Sequence, residues 1–392
     1  MRSDEVEWAM DVFAVRVELS DPLGERFVGV GRVAPLVVAA LVLASIVGAC
    51  GGGDSKRAGG TASPRSSATV AADGTAVRTA GADATSTAAA TPMIDPAAEA
   101  DAASVLCANA VETPPGTVAS PDVVELSGLA SGRANDGVYW AHNDSGDTAR
   151  VFALDAEGTA LATYTLAGAD AIDWEDMASA PNTARGAELY MGDIGDNRRA
   201  RPDIVVYRVR EPAVNRAAPP ITATLSDVEK LTLRYPDGAH DAETLMVDAR
   251  SADLIVVTKD AGGSQVFRAP GRLAANASVT LELAGRIDFS QLKRRTEFPA
   301  DAPPLARVGG ALATGGDISP VGDVIAIRTY SAVWLWSRAA GQSVGDALAA
   351  APCEAASAAE PQGEAIAFDA DGLGYVTSSE GEHPMLHHFR PG

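Results

Sequence analysis

Five polar residues, four of them acidic, recur just before short apolar segments. Each stands at the same place in a motif of similar form, such as Asp-Trp-Glu-Asp-Met-Ala at 173–178. Carboxylates that converge need compensation, because like charges and burial both raise a carboxylate pKa. A hard cation such as calcium, held by carboxylates, carbonyls and water, supplies that compensation. In chain order the five residues are Ser127, Glu175, Glu243, Asp317 and Glu364.

A second polar set stands where a later apolar run of each unit ends. Asp193, in Gly-Asp-Ile-Gly-Asp-Asn at 192–197, joins the four column acids as a predicted calcium ligand. Lysine or arginine beside a cation suits an anionic group such as a phosphate. The alternative is that the basic residues only pair with the acids in a structural ion network. The predicted ligand-binding residues are Asn143, Asp144, Lys259, Arg328 and Tyr330.

The elements that must position these residues are short β-strands. Each motif is followed by β-rich runs separated by Gly and Asp turns, as at 138–142, 150–154 and 162–166. Five such units, spaced at about blade length, predict an all-β fold, a β-propeller with five blades. The long intervals from 175 to 243 and from 243 to 317 allow a sixth blade. A β-sandwich is the architectural rival, but it does not explain the repeat.

Propeller geometry would bring the two polar sets together. The first strand of a blade lines the channel and the second returns antiparallel, so both sets belong at one channel mouth. The last unit lacks a fourth strand before Gly392, and residues about 105–125 are expected to supply it. Cys107 and Cys353 would then flank the closing blade. We predict a disulfide between them, with two buried free thiols as the alternative.

The N-terminal part has the order of a targeting segment. Arg26 and Arg32 precede an apolar run from Val33 to Ala49, which predicts a signal peptide over 1–49, with the true start near residue 28. An uncleaved anchor helix is the alternative. Val-Gly-Ala-Cys at 47–50 resembles the lipobox of bacterial lipoproteins. That resemblance implies lipid on Cys50, and hence a protein anchored at the extracytoplasmic face of the cell membrane.

Composition limits the remaining regions and partners. Residues 50–104 are rich in Ala, Thr, Ser and Gly, with few large apolar side chains. They are predicted to form a disordered tether before a propeller over 105–392. The net charge of -21 argues against nucleic-acid binding, which needs a basic face.

Several motifs together carry a family resemblance. They are Glu-Leu-Ser-Gly-Leu-Ala (125–130), Asn-Asp-Ser-Gly-Asp (143–147), the motifs at 173–178 and 192–197, Asp-Ala-Glu-Thr-Leu (241–245) and Gly-Glu-Ala-Ile-Ala (363–367). With these motifs the chain resembles a group of largely uncharacterised bacterial β-propeller lipoproteins. It is also distantly similar to phytase-like and esterase-like calcium propellers. The second resemblance implies calcium and ester hydrolysis.

Together these features favour an exported lipoprotein whose propeller binds a ligand, either a small anion or a protein. The acidic channel mouth is predicted to hold a divalent cation. The alternative is a calcium-dependent phosphoesterase or esterase. Fold alone cannot separate the two, because propellers serve both roles.

Overall fold

The computed structural model describes residues 18–20, 26–28, 101–182 and 186–392. It divides into two units, Met1–Ala89 and Ala90–Gly392. In the first unit, strands β1 (Glu18–Ser20) and β2 (Arg26–Val28) form an antiparallel pair. The apolar run of the predicted signal peptide, Cys50 and the tether up to residue 100 lie outside the described residues. Among the residues that are described, no helix is both long and apolar enough to span a membrane.

The second unit is a β-propeller of five blades. Its inner strands are β5 (Leu126–Ser131), β9 (Trp174–Asn182), β14 (Ala242–Val247), β19 (Ala313–Ile318) and β23 (Gly363–Phe368). The second strands are β6 (Tyr139–Asn143), β10 (Gly186–Asp193), β15 (Leu254–Thr258), β20 (Val324–Thr329) and β24 (Tyr375–Ser379). The third strands are β7 (Arg150–Leu154), β11 (Ile204–Arg210), β16 (Ser264–Ala269), β21 (Ala332–Ser337) and β25 (Met385–Pro391). The fourth strands are β8 (Ala160–Leu166), β13 (Glu229–Arg234), β18 (Glu282–Ile287), β22 (Cys353–Ala355) and, from the N-terminal side, β3 (Ala110–Glu112).

The helices of this unit are few and short. They are α1 (Ala102–Asn109), a 3-10 turn (Phe289–Gln291), α2 (Pro304–Val308) and α3 (Val344–Leu348). Helix α1 begins where Asp101 caps it, with Ser104 N donating to Asp101 Oδ1 at 2.8 Å. Residues 102–104, which the sequence assigned to the tether, thus lie in α1.

The ring closes as predicted. Each inner strand packs on the next, and β23 packs back on β5. Strand β3 pairs with β25, and the short strand β4 (Gly116–Thr117) pairs with the same strand at its other end. Cys107 on α1 and Cys353 on β22 form the predicted disulfide. Because the two cysteines are 246 residues apart, the chain-entropy contribution is about 5 kcal/mol at most.

Two outer strands come from the chain segment of one blade but pair with the sheet of the preceding blade. Strand β12 (Ile221–Leu225) follows β11 of blade 2 but pairs parallel with β8 of blade 1. Strand β17 (Ser278–Thr280) follows β16 of blade 3 and pairs parallel with β13 of blade 2. These strands, together with the connection over 288–312, fill the long intervals. The described residues contain no sixth blade.

The core lies between the blades, as five clusters of buried side chains, one at each blade-to-blade contact. Inner strands are covered on both faces, so they lack the polar–apolar alternation of a one-sided sheet. All six residues of β14, including Glu243, are buried. A charged acid in such a strand is therefore buried, and its charge has to be compensated.

Candidate metal centre

Every inner strand carries a β-bulge near its start. The ladder between the inner and second strand shifts by one residue there in all five blades. A bulge leaves one residue unpaired and redirects its side chain. The residues in the bulges are Ser127, Glu175, Glu243, Thr314 and Glu364. The structure thus forms the predicted ring at the channel mouth with four of its five predicted members.

Asp317 is not the fourth-blade member of this ring. The bulge of β19 contains Thr314, whose hydroxyl donates to Gly363 O at 2.9 Å. Asp317 lies three residues further along the strand, within the channel. It accepts hydrogen bonds at 2.8 Å from the backbone N–H groups of Ile318 and Phe368, and burial raises its pKa to about 6. It joins blade 4 to blade 5 and lies outside the bulge ring in which the sequence pattern placed it.

Three carboxylates of blades 1 and 2 meet at the mouth. Asp144 follows β6, Asp173 precedes β9, and Glu175 is the bulge residue of β9. One carboxylate oxygen from each lies within 4.8 Å of the others. Glu175 is buried, whereas the two aspartates are half-buried. The group, called the acid triad below, therefore opens towards solvent on one side.

The loop after β10 forms a wall of the acid triad. A Cβ atom on Gly195 would come within 2.6 Å of Asp173 Oδ2 and would also overlap Glu175 Oε1. Asp193 does not belong to the triad. Its Oδ1 accepts from Asp173 N at 3.1 Å and pairs with Arg201 at 2.8 Å. Asp193, a predicted metal ligand, instead fixes the backbone that carries Asp173.

Among the described residues no basic side chain pairs directly with the acid triad, although Lys259 lowers the pKa of Glu175 and Asp144 and Arg201 lowers that of Asp173. Burial raises the pKa of Glu175 well above its usual value, and Glu243, Asp144 and Asp173 raise it further. Burial raises the pKa of Asp144 to about 6, with Asp173 contributing. Burial also raises the pKa of Asp173. A bound cation would reverse these shifts, because it favours the charged form of each carboxyl.

A second group surrounds Lys259 on the side of blades 3 and 5. The Lys259 ammonium pairs with Glu243 Oε1 and lies 5.0 Å from the centroid of the Tyr330 ring. Burial raises the pKa of Glu243 to about 8 despite this lysine. Burial raises the pKa of Glu364 well above its usual value, and the charge of Glu243 is the second cause. Among the described residues, Glu243 Oε2 and Glu364 Oε2 are buried without a hydrogen-bond partner.

Two predicted ligand-binding residues, Asn143 and Arg328, have side chains bonded to the scaffold. The Asn143 amide oxygen accepts from Val124 N at 3.1 Å, and its nitrogen donates to Asp147 Oδ2 at 2.8 Å. Arg328 is 1% exposed. Its guanidinium pairs with Glu360 at 2.6 Å and donates to backbone carbonyls of blade 5. Both side chains thus hold the scaffold. Glu360 stands outside every repeated motif, so the sequence did not indicate this pairing.

The channel below the mouth is crossed by Asp176, which the sequence analysis did not single out. Its Oδ2 accepts from Leu245 N at 2.9 Å and from Gly316 N at 3.1 Å, while Oδ1 accepts from Met177 N at 2.8 Å. One side chain of blade 2 therefore binds the backbones of blades 3 and 4. Burial raises the pKa of Asp176, and the three N–H donors oppose that rise.

Comparison with known proteins yields no assignment. No family model matches the chain, and no curated protein matches it either.

Proposed function

We propose that the mouth of this propeller binds one divalent cation, calcium, and that the protein is a ligand-binding module rather than an enzyme. The acid triad is the observation that carries the proposal: Asp144, Asp173 and Glu175 present oxygens within 4.8 Å of one another. Calcium takes six to eight oxygen ligands in flexible geometry. The half-buried side of the triad leaves room for water or a ligand to complete that shell.

The set of donor atoms supports this choice of ion. All three groups are carboxylates, which suit hard cations and not the softer metals that prefer thiolate or imidazole. No compensating cation is bonded to the triad among the described residues, since the Lys259 ammonium pairs with Glu243. Burial is the main cause of the raised pKa values of the triad, and neighbouring carboxylates add to it.

Calcium titration of the purified full chain tests the proposal. We expect Glu175→Gln to lower calcium affinity about 100-fold, close to 2.7 kcal/mol, because the most buried ligand loses its charge. Glu282→Gln is the matched control, since that glutamate is exposed on the outer strand β18. The proposal fails if the wild-type chain binds no calcium, or if Glu175→Gln binds it as the wild type does.

A substitution beside the triad gives a second check. Gly195→Ala is expected to lower calcium affinity about tenfold, equivalent to 1.4 kcal/mol, because the new methyl group overlaps the Glu175 and Asp173 carboxylates. Gly285→Ala is the control, since its added Cβ meets its nearest atoms only at 3.9 Å. Isothermal titration calorimetry measures both. Equal affinity in the two variants would contradict the position assigned to the ion.

The ester-hydrolase alternative stays a prediction that the same samples test. Phosphate and carboxylic esters are supplied to the wild-type chain and to Glu175→Gln, with and without calcium. Turnover that requires calcium and is lost in the variant would make this an enzyme. Calcium-dependent thermal stabilisation without turnover supports the binding module.

We further propose that the chain is exported and anchored through lipid on Cys50. The support is the signal-like N-terminal sequence and the Cys107–Cys353 disulfide, which is typical of proteins outside the reducing cytoplasm. Mass spectrometry of the mature N-terminus from the membrane fraction tests this. An N-terminus other than a lipidated Cys50 would contradict it.

A further inference from the structure

The second acidic group of the mouth differs from the triad in already containing a cation. Lys259 follows β15, and its backbone N donates to Asp241 O at 2.9 Å. That bond directs the side chain into the mouth, where the ammonium pairs with Glu243 and lies under the Tyr330 ring. Only 16% of the lysine side chain is exposed. The ammonium is therefore held in place and largely withdrawn from water.

The oxygens around this ammonium are incompletely used. Glu243 and Glu364 are 4% and 3% exposed, and the Oε2 atom of each is buried without a partner among the described residues. Gln362 Nε2 donates to Glu364 Oε1 at 3.2 Å and also to Glu380. A carboxylate can accept about four hydrogen bonds, and leaving a buried acceptor unpaired is unfavourable. Two buried oxygens thus remain unpaired on glutamates whose charges both act on the Lys259 ammonium.

We propose that Glu243 and Glu364, with Glu380 beside them, form a second cation subsite that the Lys259 ammonium occupies. Lys259 then determines how many metal ions the mouth accepts. The tethered ammonium competes with a metal ion for the same oxygens. It also avoids placing two divalent ions in one mouth, where they would repel each other. The expected count of one calcium ion in the wild type rests on the proposed function, whereas the filling of the second subsite by Lys259 does not.

Removal of the ammonium tests the inference. In Lys259→Met the subsite loses its internal cation but keeps its oxygens. We expect native mass spectrometry and calorimetry of the full chain with calcium to show two ions instead of one. Lys230→Met is the matched control, because Lys230 lies on β13 with 49% of its side chain exposed. The control is expected to bind one ion.

A double variant identifies the ligands and guards against misfolding. Lys259→Met/Glu243→Gln also removes the carboxylate that the ammonium neutralised, so we expect its count to return to one. Thermal unfolding without calcium reports whether each variant folds. Calcium is expected to raise the melting temperature of Lys259→Met more than that of the double variant.

The outcomes separate the two proposals. One ion in the wild type and still one in Lys259→Met overturns the role of Lys259 and leaves the triad site standing. Two ions in the wild type overturn the role of Lys259 as well. No ion in the wild type but one in Lys259→Met supports the lysine inference and overturns the proposed function. No ion in either protein overturns both.

Discussion

Asp176→Ala is expected to lower the free energy of unfolding by about 4 kcal/mol. Three buried backbone N–H groups, those of Met177, Leu245 and Gly316, lose their acceptor together. Each unpaired buried donor costs about 1–3 kcal/mol. Because these donors lie on three different inner strands, the loss acts at the centre of the ring, where one aspartate joins three blades.

Asp176→Asn separates acceptor loss from cavity formation. The amide keeps the shape of the carboxylate, but its NH₂ group has to face an N–H donor, since both carboxylate oxygens are used. We expect an intermediate loss of stability in urea unfolding. Asp136→Ala, at an exposed loop position, is the control and should change stability by less than about 0.5 kcal/mol. An Asp176→Ala protein as stable as this control would refute the cross-channel role.

The calcium-free protein is expected to lose stability as pH rises from 5 to 8.5. Glu243 has a folded-state pKa of about 8 against a usual value of 4.5. Between those values the folded state holds a proton that the unfolded state has released, so stability falls with pH. We expect a loss of roughly 3 kcal/mol from this buried group. Asp248 has a lowered pKa, so it acts with the opposite sign and only below this range.

Calcium bound at the acid triad should contribute a slope of the opposite sign. Binding requires the ionised carboxylates, so the stabilisation that calcium provides grows with pH. Urea unfolding at several pH values, in chelator and in calcium, measures both slopes. Glu243→Gln should flatten the slope seen in chelator, because glutamine has no proton to release. Calcium-free stability that stays level or rises between pH 5 and 8 would contradict the assigned environment of Glu243.

Local sequence pattern was sufficient for the fold and for most of the ring. The pattern of an acid before an apolar run identifies Glu175, Glu243 and Glu364. It works because the bulge residue is the second residue of the inner strand in each of these blades. The pattern failed in blade 4, where β19 begins at Ala313, four residues before the predicted column residue Asp317. Gly315 and Gly316 lie within this strand, and a Cβ on Gly316 would come within 2.8 Å of Ala326 O. The glycines permit close packing of inner strands, and the register prediction was three residues wrong.

What the pattern missed depends on contacts between distant parts of the chain. Strands β12 and β17 have ordinary strand composition, and their parallel partners lie in the preceding blade. Arg328 was expected at the mouth, yet Glu360 draws it into the seam between blades 4 and 5. Asp144 was predicted for ligand binding, and its closeness to Asp173 appears only when blades 1 and 2 are side by side.

The strand exchange between neighbouring blades affects how the molecule comes apart. In the chain, residues 221–225 come between the third and fourth strands of blade 2. In space they form the outer strand of blade 1. Residues 278–280 link blade 2 to blade 3 in the same way. Opening of blade 2 therefore removes an edge strand from blade 1, and opening of blade 3 removes one from blade 2. We expect these three of the five blades to unfold as one cooperative unit rather than blade by blade.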